Sequence, residues 1–271
     1  MSLKDAMKWA RFEHRWQRVL AAALVVMVPW SIHAQSSSKA DAALKQIDDN
    51  QCEPAIDTIN QGMREQEPKA FYIAGQLFQN GFCLQQNVPR ALRLYERGAL
   101  LGDRESARTL ALIHARGDGV LQSYQEAGRW YAVMRHKSGE PEPAPESFSS
   151  PDVLITTYIE AVKDLAFMSI VYPKDAVEKG VTGTVKVRFD PRVARVTLLS
   201  STDSLGTNAA AEPNRHDFER TLLTAYGDAI RILARPSMSP NVDNSVEQTV
   251  IFNRKVVAAA NQPIGLWALP R

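Results

Sequence analysis

The stretch VYPKDAVEKGVTGTVKVRF, Val171–Phe189, changes its period midway. Tyr172-Pro173 opens a short charged segment that suits a helix, because proline is tolerated in a first turn. Gly180 can end that helix. Beyond Gly183 the period becomes two. Val185, Val187 and Phe189 alternate with Lys186 and Arg188, which predicts a strand with one buried face. Downstream, Asp190-Pro191-Arg192 reads as a turn, and Val196 and Leu198 continue as a second strand, so residues 182–201 form a hairpin. A polar stretch, 202–215, follows. Phe218, Leu222, Ala225, Ala229 and Leu233 then mark one face of a helix over 217–234, and Val246, Val250 and Phe252 mark a last strand. Upstream, Val153, Tyr158, Ala161, Val162 and Leu165 fall near helical spacing. The unit is β-β-α-β preceded by a helix. A three-stranded sheet needs its apolar face covered, and the helix over 217–234 can cover it.

The N-terminal half has a different grammar. EPAIDTINQG from Glu53, PRALRLYERG from Pro89 and QEAGRWYAVM from Gln125 align at a spacing of about 36 residues, a period typical of helical-pair solenoids. Ala55, Ala91 and Ala127 fall in register, as do Ile59, Tyr95 and Tyr131. The preceding segments AFYIAGQLFQNG and SARTLALIHARG also correspond, with Gly81 matching Gly117. His114 sits inside one of these helices and reads as structural; Tyr95, Trp130 and Tyr131 read as core before groove. The segment HKSGEPEPAPESFSSPDV, rich in proline, serine and glutamate, reads as a semi-rigid exposed linker. The expected fold is therefore α+β and multidomain, a helical-repeat solenoid followed by a small β-β-α-β domain. Its segments are 1–34, a repeat region 35–137, a linker 138–152, the sheet domain 153–254 and a tail 255–271.

At the N-terminus a basic segment precedes the apolar run VLAAALVVMVPW, and Ala34 offers a small residue for cleavage. Twelve residues of helix reach roughly 18 Å, short of the ~30 Å bilayer core. A cleaved export signal is the first reading and an uncleaved anchor the second. Either one places residue 35 onward in the periplasm, and membrane contact would come only through this segment. Residues 1–34 hold five basic and two acidic side chains, which leaves 27 basic against 28 acidic in the remainder. So balanced a chain has no electrostatic footprint for nucleic acid. Two cysteines in an exported chain suggest one disulfide. The loops that carry Cys52 and Cys83 should meet at the same end of adjacent stacked units, with two buried free thiols as the alternative. No Ser/His/Asp set, paired-acid motif, phosphate loop or metal spacing occurs among the five histidines, so no enzyme, cofactor or metal site is expected.

Two resemblances follow from these residues. The repeats over about 39–137 resemble the Sel-one-like branch of the tetratricopeptide superfamily, through the turn Gly117–Val120 and the Ala-x-x-Trp-Tyr of Ala127–Tyr131. Residues 168–254 resemble the C-terminal domain of TonB-type energy transducers. Tyr172, Pro173, Ala176, Gly180, Gly183, Val185, Val187 and Phe189 carry that likeness, with Leu198–Ser201, Phe218–Arg220 and Ala225 in support. The chain departs from that family at Gly227–Ile230, at Asp190-Pro191 and in lacking a long Pro-Lys spacer. The resemblance implies strand addition by envelope proteins, such as outer-membrane TonB-dependent receptors. The binding edge is expected at the last strand, 246–252, or at 169–172 beside it, because a strand that joins after a helix should lie at the sheet border. The candidate residues are Ser169, Tyr172, Val246, Gln248, Val250 and Phe252, with Thr249 or Ile251 directing an N–H outward. The alternative is that residues 256–271 or a homodimer close the edge. A periplasmic adaptor is the first functional reading. A membrane-anchored energy transducer that supports transport is the second.

Overall fold

The computed structural model describes residues 38–136, 145–204, 212–237 and 244–253. The N-terminal segment read as an export signal and the tail lie outside the described residues. Three helical hairpins come first: α1 (Lys39–Asp48) with α2 (Cys52–Arg64), α3 (Pro68–Asn80) with α4 (Val88–Leu100), and α5 (Arg104–Arg116) with α6 (Tyr124–Arg135). The in-register residues form their core. Ala55, Ala91 and Ala127 are buried, and so are Ile59, Tyr95 and Tyr131. Gly81 and Gly117 end α3 and α5 in the left-handed conformation, which costs glycine little. The loops after them bond alike. The Asn87 N–H donates to the Phe78 carbonyl and the Ser123 N–H to that of His114, at 2.7 and 2.9 Å. The Gln86 and Gln122 amides donate to the carbonyls of Gln79 and Ala115. Asn87 and Ser123 then cap α4 and α6 with their side chains. Cys52 and Cys83 are joined as a disulfide, with Cα atoms 5.2 Å apart.

The long helix α7 (Pro151–Ser169) belongs to both halves. It packs on α5 and α6 and also on the helix that covers the sheet. Its Tyr158 ring lies 5.8 Å from Tyr124 of α6 and 6.0 Å from Phe189 in the sheet. The Tyr124 hydroxyl donates to the Ala234 carbonyl at 2.6 Å, so the last hairpin is tied to the segment just after the helix that covers the sheet. Arg108 of α5 faces Asp164 of α7 at 3.6 Å, and Arg135 of α6 meets Glu160 at 2.5 Å. Burial raises the Asp164 carboxyl above its ordinary range, and Arg108 opposes that shift. The segment read as an exposed linker needs amending in its described part. Residues Pro145–Ser149 form a 3-10 turn, and Phe148 is buried. Phe148 sits near Gly128 of α6, where an added Cβ would meet that ring at an ordinary 3.6 Å but would lie 2.8 Å from the Thr157 hydroxyl of α7.

The sheet unit holds α8 (Lys174–Lys179), β1 (Gly183–Asp190), β2 (Arg195–Asp203), α9 (Glu212–Ile232) and β3 (Val246–Phe252). The strand order is β2-β1-β3, antiparallel throughout. Phe218, Leu222, Ala225 and Ala229 of α9 are buried, as are Val185, Val187, Phe189, Val250 and Phe252 of the sheet. Two boundaries differ from the sequence pattern. α9 starts at Glu212, five residues before the expected helix start at 217, with Pro213 in its first turn, where a missing N–H costs nothing. β2 runs on to Asp203, because Thr202 and Asp203 still find partners in Thr184 and Gly183. Pro173 caps α8 from outside its first turn.

Candidate functional site

β1 is the central strand, so β2 and β3 are the borders of the sheet among the described residues. The two borders are unlike. β2 is bulged: its register against β1 shifts between Lys186 and Val187, which leaves Leu199 as the extra residue. β3 runs in unbroken register with β1, from Val246 opposite Phe189 to Phe252 opposite Gly183. Backbone direction follows from alternation. The Ser204 N–H donates to the Thr182 carbonyl, so the even-numbered residues of this end of β1 face β2. Residues 183, 185, 187 and 189 therefore face β3 and bond to Phe252, Val250, Gln248 and Val246. The N–H and C=O groups of Glu247, Thr249 and Ile251 point away from β1, along the border.

The side chains alternate on the perpendicular axis. Val250 and Phe252 are buried toward α9, Val246 and Gln248 are half-buried on the same face, and Glu247, Thr249 and Ile251 are exposed. Glu247 is held in place from the neighbouring strand. Lys186 and Arg188 each reach its carboxylate at 2.6 Å. Their hydrogen bonds lower its pKa from the ordinary glutamate value, Lys186 contributing most.

The Tyr-Pro and glycine motif lies beneath this border. The Tyr172 hydroxyl donates to the Val181 carbonyl, and its ring stands edge-on to Phe218 and Phe252 at 5.5 and 5.8 Å. Phe218 stacks on Phe252 at 4.6 Å. At Gly183 an added Cβ would lie 2.6 Å from the Phe218 ring, so only glycine admits that ring against β1.

Of the sequence-derived residues, the structure brings Tyr172, Val250 and Phe252 into one aromatic floor and sets Val246 and Gln248 along the same strand face. Ser169 is placed elsewhere. Its hydroxyl donates to the Leu165 and Ala166 carbonyls within α7. It lines a cleft of about 280 Å³ with its α7 neighbour Met168 and with residues of α3, α5 and α9, among them Gln76, Leu112 and Ile232. Sequence reasoning missed the Lys186–Glu247–Arg188 clamp. The alternation of Lys186 and Arg188 signalled an outward face, but their shared partner needed the strand register.

Among the described residues no helix is long and apolar enough to cross a membrane. No group of three or more His, Cys, Asp or Glu side chains could hold a metal ion there. The architecture is that of a helical-repeat protein continuous with a small three-stranded sheet. No family model matches the chain, and no curated protein matches it. Among solved structures it is similar to a Sel1 repeat protein from Oxalobacter formigenes, at 16% identity and a TM-score of 0.35. That alignment covers 49% of this chain and 63% of the other, so the chain spans less than two thirds of that protein's length.

Proposed function

We propose that this chain is a protein-binding adaptor of the cell envelope whose β3 border takes up an extended segment of a partner by strand addition. The observation that carries this reading is the unbulged seven-residue border, with three residues directing their backbone groups outward. The clamp on Glu247 supports it, because that side chain is drawn toward β1 and away from an incoming strand. The likeness of residues 168–254 to TonB-type domains supports a partner among envelope proteins, outer-membrane receptors included. The basic-apolar N-terminus supports a periplasmic location. In this reading the repeats hold a second partner.

The test uses proline, which removes one N–H donor. Thr249→Pro and Ile251→Pro delete outward donors, while Gln248→Pro deletes one bonded to β1. Losing an outward bond should lower partner affinity roughly tenfold, with the circular dichroism of the parent. Gln248→Pro should instead destabilise the sheet. Affinity capture from envelope extract supplies the binding readout. If Thr249→Pro and Ile251→Pro fold and bind like the parent, β3 is not the binding edge.

A further inference from the structure

A groove of about 500 Å³ lies between α2 and α4, over α3. Its volume is within the usual range of ligand sites, roughly 300–1,000 Å³. Apolar side chains form its floor and sides, Met63, Phe78 and Leu94 among them, and the loop after Cys83 forms one wall. Arg90 is the one charged residue of this lining. It is exposed, its guanidinium sits 4.3 Å from the Phe78 ring centre, and it has no carboxylate partner among the described residues. Asn60 and Gln85 add amides at the rim.

The repeat itself indicates what fits. One period along the chain, Leu94 becomes Trp130, and Arg90 becomes Glu126. Trp130 is 7% exposed, whereas Leu94 is only half-buried. The third hairpin thus supplies an indole where the second leaves open space. The groove also carries a positive charge where the next hairpin carries a negative one.

We propose that this groove binds a protein partner through a tryptophan-sized aromatic side chain next to a carboxylate. The ring fills the space left by Leu94 and stacks on the free face of Arg90, while the carboxylate pairs with that guanidinium. The proposal rests on the reading of the repeats as a partner-binding surface, and it is independent of the β3 border.

The test titrates the isotope-labelled full chain with N-acetyl-Glu-Trp amide, followed by NMR. Shifts should centre on Asn60, Phe78, Arg90 and Leu94. N-acetyl-Gln-Trp amide should bind about threefold more weakly through loss of the exposed ion pair. N-acetyl-Glu-Ala amide should bind roughly tenfold more weakly through loss of the ring. Leu94→Trp fills the groove from within and should abolish the shifts. Arg90→Gln changes an exposed side chain and should erase the difference between the Glu and Gln probes. Thr249→Pro should leave all of this unchanged, so failure here is distinguishable from failure of the β3 reading. Absence of shifts at the groove overturns the proposal, and so does equal affinity for the Trp and Ala probes.

Discussion

The two junctions between hairpins solve one problem in different ways. Between the first and second hairpins, Cys52 at the start of α2 is bonded to Cys83 in the loop between α3 and α4. One period along, the same two positions are Val88 and Gly119. There the contact is van der Waals: a Cβ on Gly119 would lie 2.9 Å from a Val88 methyl and 3.8 Å from the Val88 Cβ. The backbone is shared as well. Cys83 has φ 57°, left-handed like Gly119 at 72°, although it is not glycine. The covalent version stands where support is weakest. The first hairpin has a described neighbour on one side only, and α1 buries just Ala40, Ala43 and Ile47. The third hairpin is backed by α7, through Tyr158 and the Arg108–Asp164 pair. A terminal repeat buries less and needs a cap; here one end is stapled and the other is covered.

This comparison can be broken at its strongest point. Replacing both cysteines, Cys52→Ser with Cys83→Ser, should cost roughly 3–4 kcal/mol in the chain-entropy account of a disulfide. Hydrogen exchange should show the loss in α1 and α2, with α5–α7 still protected. Uniform loss across all three hairpins would mean that the staple supports the whole array. A smaller effect sharpens the equivalence. Val88→Cys with Gly119→Cys should form a second bridge unaided, because the 3.8 Å separation falls at the centre of the disulfide Cβ range of about 3.5–4.5 Å. The gain should be about 2 kcal/mol, since a side chain in the left-handed region gives back about 1 kcal/mol. Two titratable thiols in the denatured, unreduced variant would show that the junctions are not interchangeable. The smallest effect isolates the backbone. In a Cys52→Ser background, Cys83→Gly should be more stable than Cys83→Ala by about 0.5–1 kcal/mol, the left-handed penalty less the entropy of glycine. Equal melting curves would mean that the loop abandons this conformation once the bridge is gone.

Legibility differed between the halves for a physical reason. In the repeats, each contact recurs at a fixed offset. Ala55, Ala91 and Ala127 announce the buried face, Gly81 and Gly117 announce the turns, and the cysteine pairing follows from the stacking of adjacent units. In the sheet unit, alternation told which side chains of β1 are buried, but alternation is silent about neighbours. The candidate binding set shows this. The sequence picked Val250 and Phe252 by their apolar period, and these side chains face α9. The backbone groups directed outward belong to the residues between them.

The sequence by itself determined the helical period, the strands of the sheet, the order of the elements and the place of the turns. These depend on short-range patterns of apolar, glycine and proline residues. Only the tertiary structure decided that α7 serves both halves, that Tyr124 reaches Ala234, that β3 rather than β2 is the smooth border, and that Lys186 and Arg188 converge on Glu247. Each of these is a contact between residues far apart in the chain. Such contacts are set by which surfaces remain to be covered once the local elements have formed, and no local pattern records that choice.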